Sequence, residues 1–195
     1  MTPTRSRKNA VLRRGDVIKT HPRDGFWGCA VVLSDPQPLD GLRPMCHIGV
    51  TPWILQHDFE WSAIADKDLC ILEFERGVRT GPGEYRARRE TCIGLYVGKA
   101  HPLLPVIGSV DPTRVFRKPL TFEVGDGTDG KYPLCGPVAQ HLGSEAVNAW
   151  LRVHDPDRWQ AERDEGQDRY ERLSEALRKE EREKQRARRN RKRGA

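Results

Sequence analysis

The chain has 195 residues, enough for one ordinary domain and an appendage but short for two full domains. With 36% hydrophobic and 32% charged residues and a net charge of +6, part of it is expected to be solvated rather than buried. The absence of any apolar run of about 18 residues argues against a membrane span, and the opening MTPTRSRKNAVLRRG is basic without the apolar segment of a secretory signal.

In chain order, residues 1–12 read as a basic, loose arm. GDVIKTHPRDGFWGCAVVLSD, from Gly15 to Asp35, then reads as two short strands. Val17 and Ile18 are β-branched, His21-Pro22-Arg23-Asp24-Gly25 is a breaker cluster with an Asp-Gly step, and Phe26 to Leu33 is aromatic and β-branched. Asp35-Pro36-Gln37-Pro38 and Asp40-Gly41 predict a loop, since two prolines cannot join a central ladder. Met45 to Val50 predicts a third strand. Thr51 to Ile64 reads as strand or loop, because Pro52 breaks the start of any helix there. Leu69 to Phe74 is a short apolar run bounded by charges and reads as a buried strand.

The charged stretch ERGVRTGPGEYRARRE reads as a connection with a turn at Gly81-Pro82-Gly83. Further strands are predicted over 91–97, over 102–110 with an interruption at Pro105, and over 121–124, followed by the polar loop GDGTDGKYPLCG. Ser144 is a good N-cap for EAVNAWLRVH, Glu145 complements that helix's dipole, and Val147, Trp150 and Leu151 form one apolar stripe for packing on a sheet. Beyond it, acid-before-base pairs such as Asp168 with Arg172 and Glu175 with Lys179 suit a long exposed helix. Only Trp159, Tyr170, Leu173 and Leu177 are available for a seam, too few for a sustained coiled coil.

These elements predict an α+β fold: a mainly antiparallel twisted sheet or small β-barrel, one packed helix and a long charged C-terminal helix. The expected organisation is an arm over 1–12, a β-rich domain over 13–154 and a helical tail over 155–195. The last twelve residues, KQRARRNRKRGA, carry seven basic groups and no acid. Arg186, Arg188, Arg189, Arg191, Lys192 and Arg193 suit either weak, non-specific contact with phosphate backbones or a solvated helix end complementing the dipole. No aromatic interleaves with them, which argues against a stacking platform.

Five cysteines, at 29, 46, 70, 92 and 135, form no CxxC pair and read as reduced, mostly buried thiols, consistent with a cytoplasmic protein. Six histidines show neither HxH, HExxH nor zinc-type Cys/His spacing, so no metal or other cofactor is expected. His57-Asp58 with Glu60 has the residue types of an acid/base group, but neighbours on an extended chain point to opposite faces. No serine has a GxSxG setting, and GDGTDG is not a phosphate loop, so no catalytic residue is predicted. Among the tryptophans at 27, 53 and 61, Trp27, just after the Asp-Gly turn, is the best placed to be an exposed anchor.

Two family resemblances rest on the opening hairpin. Gly15-Asp16, Asp24-Gly25, Phe26-Trp27, Gly28 and Val32-Leu33, together with Pro105-Val106-Ile107-Gly108, resemble the immunity protein 26 family over roughly residues 12–125. Cys29-Ala30 departs from the basic position usual after that family's central glycine. The resemblance implies a non-enzymatic cytoplasmic bacterial protein that neutralises a polymorphic toxin, often a nuclease. An inhibitor of a basic nuclease cleft would offer acidic groups beside an anchor: Asp16, Asp24, Asp58 and Glu60 near Phe26 and Trp27. The same GDVI and VVLS segments are similar to MazF/PemK endoribonuclease toxins, which carry Arg-Pro directly before VVLS. Cys29-Ala30 stands there instead, and Arg23 lies across the turn.

Overall fold

The computed structural model of the chain describes residues 11–81, 84–125, 131–134 and 142–193; within them, the side chains of 76–85, 170–171, 174, 177–178, 180–181 and 185–193 lie outside the description. The chain divides into two compact units, Met1–Trp150 and Leu151–Ala195.

The first unit is built on an antiparallel sheet of six strands: β1 (Asp16–Arg23), β2 (Phe26–Val32), β3 (Gln37–Leu39), β4 (Leu42–Leu55), β7 (Ile93–Val97) and β8 (Val106–Ser109). Their order is β3-β4-β2-β1-β8, with β7 on the other edge of β4. A separate two-stranded sheet joins β5 (Glu73–Gly81) to β6 (Glu84–Thr91). Short α1 (Pro112–Val115) follows β8, and α2 (Ser144–His154) and α3 (Pro156–Arg193) complete the α+β fold. The expected twisted sheet and helices are present, and the sheet does not close into a barrel. Among the described residues, no helix is long and apolar enough to cross a membrane.

Val17 pairs with Val31, Ile18 with Ala30 and Lys19 with Cys29, so alternate residues of the hairpin serve two faces. One face carries Val17, Cys29 and Val31 into a core with Ile64, Leu95 and Ile107. The other carries Ile18, Ala30 and Phe26, whose ring meets that of Trp150 in α2 edge-on at 5.5 Å. In α2 the predicted stripe holds: Val147 and Leu151 are buried and Trp150 is half-buried.

Two residues of the resemblance motifs have plain steric reasons. Gly15 sits at φ +91, and a Cβ there would lie 2.5 Å from the Val110 carbonyl oxygen. At Gly108 a Cβ would lie 2.2 Å from the Trp61 ring, which rests directly on this stretch of β8.

Several expectations need correction. His21, Pro22 and Arg23 belong to β1; the ladder absorbs Pro22 through a register shift between Thr20 and Arg23, leaving Asp24-Gly25 as the turn. Pro52 likewise lies inside β4, which shifts register against β2 opposite Gly28 to Ala30. Gln37-Pro38-Leu39 is not a loop but a three-residue strand at the end of the sheet, where proline is tolerated. Leu69, Ile71 and Leu72 are buried but not in a strand, which begins only at Glu73. The charged connection is instead the β5–β6 hairpin; Pro82 and Gly83 lie outside the described residues. Residues 121–124 form no strand, only a bridge from Val124 to Tyr132. Of the arm, residues 1–10 lie outside the description, while Leu12 is buried and donates its N–H to the Gly98 carbonyl.

The second unit contains α3. Asp155 caps it, accepting from the Arg158 N–H at 3.2 Å, and Pro156 has the φ that a first turn requires. Arg158–Glu162 and Glu165–Arg169 form ion pairs four apart. The predicted Asp168–Arg172 pair is replaced by a bond from the Arg172 Nε to the Asp168 carbonyl at 3.2 Å. The guanidinium groups of Arg152 and Arg163 lie 5.7 and 5.4 Å from the centre of the Trp159 ring.

Candidate functional site

At its hairpin end, the β1–β2–β4 surface changes from core to rim. Along β1 the alternation Val17, Lys19, His21 carries one face from full burial to solvent. Trp27 and Trp53 lie half-buried over the core on this side, and Leu55 stands opposite Trp27 in register. His21 stacks on Trp27, with ring centroids 4.7 Å apart and planes inclined by 21°. The indole is therefore backed by an imidazole and partly open to water, the setting of an amphipathic anchor.

Lys19 organises the edge of this rim. Its Nζ donates to Asp58 Oδ1 at 2.6 Å and to the Phe59 carbonyl at 3.0 Å, and lies 5.7 Å from the Phe59 ring centre. The Lys19 side chain is only 16% exposed, whereas Asp58 is 65% exposed. The half-buried lysine thus pins the loop after β4 to the sheet and holds a carboxylate facing outward. That hydrogen bond from Lys19 keeps the Asp58 carboxyl below the usual carboxylate range, and the Phe59 N–H, bonded to the same oxygen at 2.8 Å, acts in the same sense. Glu60, two residues on, is exposed where the 3-10 turn Trp61–Ala63 begins.

The predicted contact residues therefore separate. Trp27, Asp58 and Glu60 belong to this rim or its bordering loop, and Asp24 is exposed in the adjoining turn. Asp16 and Phe26 do not reach the surface. Asp16 is 4% exposed, and its carboxylate accepts the Arg13 N–H at 2.9 Å, closing the turn that leads into β1. Phe26 is 2% exposed on the opposite face, as alternation along β2 requires. For the basic tail, the α3 backbone runs to Arg193, and the side chains of Arg186, Arg188, Arg189, Arg191, Lys192 and Arg193 lie outside the described residues.

Other titratable groups serve structure. His57 is exposed, and the Asp58 carboxylate is engaged by Lys19. Cys29 is buried; its thiol meets the Thr51 hydroxyl at 3.0 Å, and burial pushes it up to about 11, away from thiolate chemistry. Cys46 is also buried, Cys70 is exposed and Cys92 half-buried between β6 and β7, while Cys135 lies outside the described residues. His47 is fully buried between Ser34, which bonds Nδ1 at 2.9 Å, and the Thr121 carbonyl, 2.6 Å from Nε2. The carbonyl requires Nε2 to carry the proton, and burial favours the neutral ring, pulling its pKa below the ordinary value. His47 thereby clips residues 121–122 onto β4, its ring also meeting Phe122 edge-on at 4.5 Å. Among the described residues, no three His, Cys, Asp or Glu side chains are placed to hold a metal. The GDGTDG loop lies outside them from Asp126 onward.

Two open grooves flank Phe116. One, about 590 Å³, includes Cys70, Leu72, Arg117 and Lys118; the other, about 570 Å³, includes Arg14, Ser34, Asp35 and Lys118.

Searches of family models, curated proteins and solved structures returned no match to this chain. Residue-level reasoning overlooked Lys19 and His21, although the spacing of Val17, Lys19 and His21 places all three on one strand face. The breaker cluster around Pro22 obscured that signal. The Arg-Pro positions of the ribonuclease resemblance are occupied by Cys29 and Ala30, both buried in β2, and Arg23 donates to Asn148 of α2 at 3.4 Å.

Proposed function

We propose that the chain is a non-enzymatic immunity protein that binds a cognate polymorphic toxin in the bacterial cytoplasm and neutralises it by covering its active site. The observation that carries this reading is the rim itself: a half-buried Trp27 stacked on His21, beside a carboxylate held outward by a half-buried lysine. A partly exposed tryptophan held by its neighbours costs little entropy on binding and has the character of an interface hot spot. Asp24, in the turn before Trp27, and Asp58 and Glu60, in the loop after β4, are exposed acidic groups that would complement the basic cleft of an enzyme acting on phosphodiesters. No cofactor enters this function.

The test is co-expression with the toxin domain encoded by the adjacent gene. The unaltered chain is expected to form a complex and relieve toxicity, and Trp27→Ala to weaken the complex at least about tenfold, equivalent to about 1.4 kcal/mol. A complex that tolerates Trp27→Ala and Asp58→Lys alike would place the contact elsewhere. A neighbouring product that neither binds nor kills would overturn the immunity reading.

A further inference from the structure

The groove of about 570 Å³ beside Phe116 is assembled from three parts of the first unit: the turn before β1, the stretch after β2, and the segment from α1 to Phe122. Bonds within the fold fix each of them. The Arg14 N–H donates to Asp35 Oδ1 at 3.0 Å, tying the first part to the second. Asp111 caps α1, accepting the Thr113 N–H at 2.9 Å, and His47 holds Thr121 by its carbonyl and Phe122 by its ring. The volume falls among pockets that take small molecules, about 300–1,000 Å³.

Three cations, Arg14, Arg117 and Lys118, line this groove against one carboxylate, Asp35. Among the described residues, no acid forms an ion pair with any of the three cationic side chains. The Asp35 carboxylate is engaged by the backbone of Arg14 rather than by a side chain. Arg117 is held in place: its Nε donates to the Thr113 carbonyl at 3.2 Å. That bond leaves the two terminal nitrogens of the guanidinium, a fork able to grip an oxyanion at two points.

Apolar surface and one directional polar group complete the lining. Phe116 and Phe122 are half-buried there and leave surface that a flat aromatic body would cover. Ser34 is set by His47. Because Nε2 keeps its proton on the Thr121 carbonyl, Nδ1 accepts, and the Ser34 hydroxyl donates its only proton to it at 2.9 Å. The same oxygen accepts the His47 N–H at 3.0 Å. Toward any further group Ser34 can act only as an acceptor, which suits a ligand hydroxyl or amine and not an anion.

The excess of two positive charges matches a phosphate monoester, which carries about −1.5 to −2 at pH 7, better than it matches a carboxylate. We propose that this groove binds a small phosphomonoester with an aromatic body and hydroxyl groups, of the size of a nucleoside monophosphate. Arg14, Arg117 and Lys118 hold the phosphate, and Phe116 and Phe122 take the aromatic body. This inference is independent of the Trp27 rim and of the C-terminal basic cluster.

Calorimetric titration of the full chain tests it, with adenosine monophosphate, uridine monophosphate, the two unphosphorylated nucleosides, inorganic phosphate and an oligonucleotide bearing a terminal phosphate as probes. At least one monophosphate is expected to bind about tenfold or more tightly than its nucleoside and than inorganic phosphate, since each of those lacks one half of the contacts. Arg117→Gln and Lys118→Gln should each weaken that monophosphate about tenfold. Both side chains are exposed, so the variants should melt at the temperature of the unaltered chain. Failure of both monophosphates to bind at millimolar concentration overturns the proposal. So does equal binding by the unaltered chain and both variants, inorganic phosphate binding as tightly as the monophosphates, or the oligonucleotide binding more tightly than either.

Discussion

The β1–β2 hairpin turns over Asp24 and Gly25 and buries most of both faces, whereas in the β5–β6 pair four successive residues from Arg86 to Arg89 are exposed. Both are antiparallel pairs of similar length. They differ in what their alternate residues offer. β2 presents Phe26, Gly28 and Ala30 to one side and Cys29 and Val31 to the other, so each face attracts an apolar cover. β6 presents Arg86 and Arg88 to one side and Ala87 and Arg89 to the other, and neither face gains by burial. Strand pairing sets the local geometry in both, and side-chain chemistry decides which becomes scaffold and which remains an arm.

Three substitutions sharpen that contrast. The largest effect is expected from Phe26→Ala, which empties the space between β2 and Trp150 and should cost about 3–5 kcal/mol in urea unfolding. A loss below about 1 kcal/mol would mean that α2 does not support this face. Gly108→Ala, in the strand beside β1, should cost about 1–3 kcal/mol because the added methyl group meets the Trp61 ring. Its emission spectrum should shift as that indole moves, and unchanged stability and emission would show the ring to be loosely seated. The smallest effect has the opposite sign. Thr20 Oγ1 is buried without a hydrogen-bond partner among the described residues, so Thr20→Val, which keeps the shape, should stabilise the chain by about 1 kcal/mol. Destabilisation there would reveal a partner for the hydroxyl.

Much of the scaffold was legible in the residues. The β-branched and aromatic run from Phe26, the Asp-Gly turn, the stripe at Val147, Trp150 and Leu151, and the charge density after Pro156 each name an element by local chemistry alone. What misled was proline and charge. Pro22, Pro38 and Pro52 all read as breakers, yet each lies within a strand at a register shift, Pro38 also at the end of the sheet. A charged, glycine-containing stretch read as a connection because burial is the usual sign of a strand, and β6 pairs with β5 while Arg86 to Arg89 stay exposed. Conversely Leu69 to Phe74 read as one strand from apolarity, yet Leu69, Ile71 and Leu72 are buried outside the ladder, which begins at Glu73.

The candidate rim was half legible. Trp27 follows from its place after the turn, but the role of Asp58 depends on Lys19, thirty-nine residues away in sequence and 2.6 Å away in space. Nothing in the local sequence distinguishes Asp16, which caps a turn from within, from Asp58, which faces water. By itself the sequence determined which segments could become strands and helices, because propensity, turn chemistry and charge spacing act within a few residues. Only the tertiary structure decided which faces those segments covered. That choice set Phe26 and Asp16 inside, Trp27 and Asp58 at the rim, and the arginines of β6 in solvent, because burial depends on what the rest of the chain brings against a face.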